Sequence, residues 1–365
     1  MPLSDSQIAL RSEGIGASEA AAVLGLSPWA TPWDVFARKR GLVPPFEGNR
    51  ATAYGNHLEP FVVRLYQEDR GLEAMQLPVT MRHPEHPCIM ATPDAFVLNP
   101  DNPPPPGVRV ALTDQRWGAD TEADEALVRE RLLPHVLKGL EIKCTRWRMA
   151  ARIGTPEEPN APDEHLVQTA QGMIVCDLPA WDLAYWIGGE ELRVLPFRRD
   201  PAFDRLLLGR IPHFWQHHIV GDRPPEIGAS KSACGWLKSK FPSDDGTVIE
   251  DPDDELCSLV ERWSEALDER DEVVERSETI ANQIREAMAN ASRALDPEGR
   301  WKLSYKRTKD RERTDWKSLA HVLLDRLRAA GILEHQEAVA LRDQHTTTSP
   351  GSRTLRKSGA LFARD

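Results

Sequence analysis

The chain has 365 residues, 46 Lys and Arg against 57 Asp and Glu, a net charge of −11, and 40% hydrophobic residues. That length suits one large domain or two average ones, and no apolar run reaches the eighteen residues or so of a membrane span. The acidic total argues against a protein that coats nucleic acid by charge alone.

Five scattered Cys, at 88, 144, 176, 234 and 257, include no CxxC pair. This spacing gives no support for a zinc ribbon or an iron–sulfur cluster and fits a reducing compartment. The first residues lack the basic-then-apolar layout of a secretory leader, so a cytoplasmic location in a bacterial cell is expected. Charge is uneven along the chain. Residues 231–298 hold 18 acidic and 8 basic side chains, whereas 299–365 hold 8 and 15.

In chain order, the first informative block is RSEGIGASEAAAVLGLSPW, residues 11–29. Gly14 and Gly16 precede Ser18, which reads as the N-cap of a short helix over 19–24 closed by Gly25. Free amides and a hydroxyl at a helix start bind anions, and Arg11 adds a bidentate donor; a plain capped helix has the same signature. Residues 53–71 predict a helix with Leu58, Phe61, Val62 and Leu65 inward. Glu59, next to Pro60 near its expected start, is either a charge on the helix dipole or an acid of a metal site.

HPCIMATPDAFVL, residues 86–98, reads as a strand pair broken at Thr92-Pro93-Asp94. A proline that cannot donate to the ladder suits a bulge that re-aims Asp94. The proline run at 99–107 and the acidic, weakly periodic stretch after it make 99–138 an expected insertion or mobile excursion.

KGLEIKCT, residues 138–145, carries the most chemistry. Leu140, Ile142 and Cys144 alternate with Glu141 and Lys143, so the acid and the ammonium share one face of a strand. A Glu to hold a hard cation and a Lys to stabilise a crowded phosphate suit metal-assisted phosphodiester hydrolysis. By itself E-x-K is a weak signal, and Asp94 is the natural second carboxylate. Residues 164–177 predict a helix with Val167, Ala170, Met173 and Ile174 inward and a polar stripe of His165, Gln168 and Gln171, placed to hold a water or phosphate.

Beyond residue 230 a linker is expected over 231–252. It leads into a long helical arm over 253–298, with Asp251 or Asp253 as cap and Pro252 in the first turn. Leu256, Val260, Trp263, Leu267, Val274, Ala281, Ile284, Met288 and Ala291 form a heptad-like seam. Residues 299–365 read as a small basic α/β module: a turn at 296–299, a strand through Trp301, Leu303 and Tyr305, and a helix over 315–330 stopped by Gly331. The basic stretch 299–317, with Trp301, Tyr305 and Trp316, is either a DNA contact, a docking face or a solvated surface.

Taken in order, R-x3-GIG-x-S (11–18), G-x3-EP (55–60), TPD (92–94), LEIK (140–143) and Q-x2-Q-x-M (168–173) resemble the YqaJ-type viral recombinase nucleases. These are relatives of the phage lambda alkaline exonuclease within the PD-(D/E)XK superfamily. A hairpin at 181–200, with its Gly-Gly turn, adds to the likeness, which spans about residues 10–220.

The resemblance implies an α/β (α+β) restriction-endonuclease-like core over 1–230, a mixed central sheet flanked by helices. It implies that Asp94, Glu141 and the main-chain carbonyl of Ile142 bind Mg²⁺, for which Mn²⁺ would substitute, and that Glu59 faces a second metal or its water. Lys143 would be the catalytic lysine, Gln168 would position the nucleophile, and Arg11 and Ser18 would grip a 5′-phosphate. The implied activity is 5′→3′ digestion of one strand at double-stranded DNA ends, leaving a 3′ overhang for a single-strand annealing protein, in a homo-trimer. An endonuclease without end recognition, or a DNA-binding scaffold with a vestigial site, would fit the same residues. Two departures stand out: the 47-residue gap from Asp94 to Glu141, and His165 where the family commonly has an aromatic residue.

Overall fold

Apolar side chains alternating with Glu141 and Lys143 make one ten-residue strand the axis of the fold. The computed structural model describes residues 5–44, 48–112, 121–297, 301–307, 315–332 and 334–345. They fall into two compact units, residues 1–240 and 241–365.

The first unit opens with helix α1 (Asp5–Arg11), strand β1 (Ile15–Gly16) and helices α2 (Ala17–Val23), α3 (Pro32–Lys39) and α4 (Arg50–Arg70). Strands β2 (Ala74–Met75), β3 (Met81–Arg82), β4 (Ile89–Ala91) and β5 (Ala95–Leu98) follow, then helices α5 (Pro106–Leu112) and α6 (Thr121–Leu127). The axial strand β6 (Val136–Thr145) leads to helix α7 (Asp163–Cys176), the hairpin β7 (Ala180–Ile187) and β8 (Glu191–Arg198), and helices α8 (Pro201–Phe214) and α9 (Lys231–Lys240).

The main sheet has the order β2-β5-β6-β7-β8. It is mixed, as expected: β6 runs antiparallel to β5 and parallel to β7. On one face, Val62, Val63 and Tyr66 of α4 pack on Ala95, Val97, Leu140, Ile142 and Ala184. On the other, α2, α7 and α8 build the larger core with Phe96, Leu98 and Trp181. Trp181 fits because two neighbours lack side chains: a Cβ at Gly139 or Gly172 would lie 2.3 or 2.7 Å from its indole. Beneath α4, Asp182 accepts from the Tyr66 hydroxyl at 2.7 Å and from Lys138 Nζ at 2.6 Å, a buried charge with its partners in place. A second, three-stranded sheet has the order β1-β4-β3, with β1 parallel to β4.

Four expectations need correction. The N-cap of α2 is Gly16, not Ser18; Glu19 at the third helical position accepts from the Gly16 N–H at 3.1 Å. Helix α4 begins after Asn49, whose side chain accepts from the amides of Ala51 and Thr52, so Pro60 and Glu59 lie mid-helix. Its buried face is Glu59, Val62, Val63 and Tyr66, while Phe61 points out against Trp186.

The 99–138 segment is packed rather than loose over its second half. Val128 and Leu132, in a π-turn over Val128–Leu132, are fully buried, and Glu125 binds Arg82 and Arg129. Residues 113–120 lie outside the described ones. Finally, the first unit does not end at 230. Helix α9 occupies the first half of the expected linker, with Trp236 5.3 Å from Trp33 and Ser230 donating to the buried Asp34 at 2.6 Å.

In the second unit, helix α10 (Asp254–Met288) is capped by Asp253, which accepts from the Leu256 amide at 2.8 Å; Pro252 precedes the cap. Within the expected seam, Val260, Trp263 and Leu267 are half-buried, Leu256, Val274 and Ile284 are exposed, and Ala291 lies beyond the helix end. Strand β9 (Arg293–Leu295), which its sequence does not announce, pairs antiparallel with β10 (Lys302–Ser304). Helix α11 (Trp316–Ala329) stops before Gly331, at φ 70°, and α12 (His335–Gln344) follows. Residues 298–300 of the expected turn and 308–314 of the basic stretch lie outside the described residues. No helix among the described residues is long and apolar enough to cross a membrane.

Candidate active site

Pairing between β5 and β6 ends at Ala95 opposite Leu140, because Pro93 has no N–H to continue it. The chain break aims Asp94 at the next free donor: its Oδ2 accepts from the Ile142 N–H at 2.7 Å. One residue to either side on β6, Glu141 and Lys143 project from the sheet face opposite α4. Lys143 Nζ lies 2.6 Å from Glu141 Oε1. Gln168, on α7, closes a triangle. Its Nε2 donates to the same Glu141 oxygen at 2.6 Å, and its Oε1 accepts from Lys143 Nζ at 3.0 Å.

Glu59 belongs to the same electrostatic neighbourhood, and its Oε1 accepts from Gln76 Nε2 at 2.9 Å. Burial, followed by the charges of Glu141 and Glu59, holds the Asp94 carboxyl well above the usual range; Lys143 and the Ile142 amide oppose this. Burial alone would lower the Lys143 pKa, but the charges of Glu141, Asp94 and Glu59 and the bond to Glu141 outweigh it. Lys143 is therefore a protonated donor at neutral pH and not a base.

Three carboxylates facing one ammonium leave excess negative charge in a buried place, which a cation would offset. Among the described residues no three His, Cys, Asp or Glu side chains form a group that could hold a metal ion by themselves. A sparse, all-oxygen donor set fits a hard ion such as Mg²⁺, which keeps several waters and takes one or two carboxylates, and does not fit structural zinc.

Of the expected polar stripe on α7, only Gln168 reaches the acids. His165 Nδ1 lies 2.7 Å from the Tyr185 hydroxyl, and Tyr185 stands opposite Lys143 in the β6–β7 register. Burial, with the charges of Lys143 and Arg152, pushes His165 down to about 3, so its ring is neutral. Gln171 turns to the main chain instead. It is fully buried, and its Nε2 donates to the carbonyls of Ile15 and Met90, both at 2.8 Å, locking β1 to β4.

Arg11 and Ser18 do meet: Arg11 Nη2 donates to Ser18 Oγ at 2.9 Å. The guanidinium lies over Gly16, where a Cβ would come within 2.8 Å of Nη2.

Sequence reasoning missed the turn after β6. Arg146, Trp147, Arg148 and Arg152 are exposed there, and a short 3₁₀ helix spans Trp147–Arg152. Arg193 Nη1 anchors the turn through the Ile153 carbonyl at 2.9 Å, and the Trp147 indole fills the space above Gly188. The run RWRMAAR, basic with one Trp directly after the acid–lysine motif, was the available signal.

Residues 8–179 match the family model of the YqaJ-like viral recombinase domain. A curated relative, the uncharacterized protein YqaJ of Bacillus subtilis (strain 168), is 23% identical over 291 residues, 79% of each chain. Among solved structures, LHK-Exo in complex with dAMP aligns with TM-score 0.43 and 16% identity over 65% of this chain and 97% of that one. The alkaline exonuclease LHK-Exo from Laribacter hongkongensis gives TM-score 0.41 and 17% identity over 64% of this chain and 95% of that one. A phage-related exonuclease from Haemophilus somnus 129PT gives 0.36 and 11% over 57% and 96%.

Proposed function

We propose that this chain, whose residues 8–179 carry a YqaJ-like viral recombinase domain, is a Mg²⁺-dependent 5′→3′ exonuclease of linear double-stranded DNA. It would leave 3′ overhangs for a single-strand annealing protein in phage-type recombination, and it would work as a homo-oligomer. The observation that carries this reading is the bonded set of Glu141, Lys143 and Gln168 beside the raised carboxyl of Asp94.

Asp94, Glu141 and the Ile142 carbonyl would hold the ion, and Glu59 would face a second metal or its water. When bound, the cation would neutralise the phosphate and make water a better nucleophile. Lys143, protonated and fixed by Glu141, donates toward a non-bridging phosphate oxygen as negative charge grows there. Gln168 has one acceptor and one donor group on a rigid helix, which suits it to hold a water in line with the scissile bond. Arg11 and Ser18 offer an N–H set and a hydroxyl to a terminal 5′-phosphate.

The test uses the full chain with Mg²⁺ on linear and on covalently closed duplex, with Glu141→Ala and Lys143→Ala as controls. Loss of label from the 5′ end of linear duplex only, abolished in both variants, supports the reading. Cleavage of the closed duplex would make the protein an endonuclease; no cleavage with Mg²⁺ or Mn²⁺ would make it a binding scaffold.

A further inference from the structure

Lys39, the last residue of α3, is a lysine with a side chain only 7% exposed. Burying an ammonium is costly unless it is paired and bonded, so its partners show what it is for. Nζ donates to the main-chain carbonyl of Arg11 at 2.6 Å and to Glu19 Oε2 at 2.8 Å. Arg11 ends α1, where helix carbonyls lack intrahelical donors; Ala9 and Leu10 receive theirs from the amides of Ser12 and Glu13. Lys39 supplies the donor for Arg11. The Glu19 oxygen that it binds also accepts from the Gly16 N–H. One buried nitrogen thus ties together the end of α1, the start of α2 and α3.

The consequence lies on the other side of Arg11, whose guanidinium rests on Gly16 and reaches Ser18. We propose that Lys39 is a positioning residue for the end-recognition pocket, holding the Arg11 main chain and the Gly16–Glu19 turn so that the guanidinium and the Ser18 hydroxyl meet a terminal phosphate as a preset pair. This rests on the reading of Arg11 and Ser18 as a 5′-phosphate grip. Lys39 is too buried to touch the ligand and acts through Arg11. Preset geometry matters because ordering a long side chain on binding costs conformational entropy, and misaimed charged donors lose more. Ser18 accepts from Arg11 through a lone pair, which leaves its own O–H to donate to the phosphate.

The experiment compares steady-state digestion of linear duplexes with 5′-phosphate and 5′-hydroxyl ends by wild type, Lys39→Met, Lys39→Gln and Lys39→Arg. Wild type should prefer phosphorylated ends. Lys39→Met should lose about tenfold of that preference, with the change falling on KM for phosphorylated ends rather than on kcat. Lys39→Gln, too short to reach both oxygens, should behave alike and serves if the Met variant does not fold. Lys39→Arg, which can donate to both, should restore the preference; a merely structural ion pair would lower the melting temperature and leave the ratio alone. A wild-type preference retained in both the Met and Gln variants overturns the role of Lys39. Equal wild-type rates on the two ends overturn the phosphate grip itself.

Discussion

Lys143→Met removes the ammonium that faces Glu141, Asp94 and Glu59. Breaking a buried ion pair by removing one partner costs roughly 3–5 kcal/mol. Lys143 retains 22% of its side-chain exposure while Glu141 has 6%, so the low end, about 3 kcal/mol, is expected without divalent cations near pH 8. The sign with pH follows from proton linkage. Burial and its acidic neighbours already hold the folded Asp94 carboxyl above its unfolded value near 4, and loss of the ammonium that opposes this raises it further. With a raised folded pKa, its contribution to stability is fully present below the unfolded value and is lost as pH rises toward the folded one. The deficit of the variant relative to wild type should therefore shrink as pH falls from about 8 to 5, and Mg²⁺ should recover part of it. Urea unfolding at both pH values, with EDTA and then with Mg²⁺, measures this. A deficit that is equal at the two pH values and indifferent to Mg²⁺ would show that Lys143 is an ordinary packing residue, and the charge argument would be wrong.

Asp94→Asn should raise the melting temperature of metal-free protein, because burial and the charges of Glu141 and Glu59 already disfavour the ionised form while an amide oxygen can still accept from Ile142. The same variant should lack the Mg²⁺-induced rise expected of wild type in scanning calorimetry, and a lower metal-free melting temperature would contradict the account. His165, pushed down to about 3, stays neutral in the folded state while its unfolded counterpart takes up a proton below about 6.5. Wild type should thus lose roughly 2 kcal/mol between pH 6.5 and 5 on this account, and His165→Phe should flatten that slope even though breaking the Tyr185 bond lowers stability overall. An unchanged slope would mean that the ring is not buried neutral. Replacing Arg146, Arg148 and Arg152 together with Gln should reduce the slope of log affinity for DNA against log salt by about 2–3, nearer the lower figure for single strands. No change would remove this turn from the interface.

The residues that sequence placed correctly are those whose geometry is local. Period-two alternation put Glu141 and Lys143 on one strand face, and that holds; Asp94 does leave the ladder after Pro93, but between strands of two different sheets rather than at the expected bulge, the register shift lying at Val97/Leu98. Asp253 and Gly331 mark their helix ends for equally local reasons. What failed was non-local. Pro60 looks like a helix start, yet the helix runs through it from Asn49 because tertiary packing of Val62, Val63 and Tyr66 outweighs the lost hydrogen bond. Gln171 looks like a twin of Gln168, one turn away, and only the fold reveals that it faces two main-chain carbonyls. The burial of Val128 and Leu132 depends on a core that the proline run before them gave no reason to expect. The three-residue strand β9 carries too few side chains for a periodic signal.

The spacing of Gln168 and Gln171 has a structural meaning beyond either bond. Three residues, a rise of about 4.5 Å, separate them on the same rigid element. The first binds Glu141 and Lys143, where a phosphodiester would be cut, and the second grips Ile15 and Met90. Ile15 leads directly into Gly16, on which Arg11 rests, and Met90 leads through β4 to Asp94. Helix α7 therefore fixes the distance between the Arg11–Ser18 pair and the acidic centre from both ends at once. An enzyme that trims from a terminus needs such a fixed offset, because the end group must be held while the adjacent phosphodiester lies in the site. On the proposed reading the −11 net charge is compatible with this, since capture would depend on the Arg11–Ser18 pair and the acidic centre and not on bulk attraction. In a DNA-binding scaffold Gln171 would serve only to join β1 to β4.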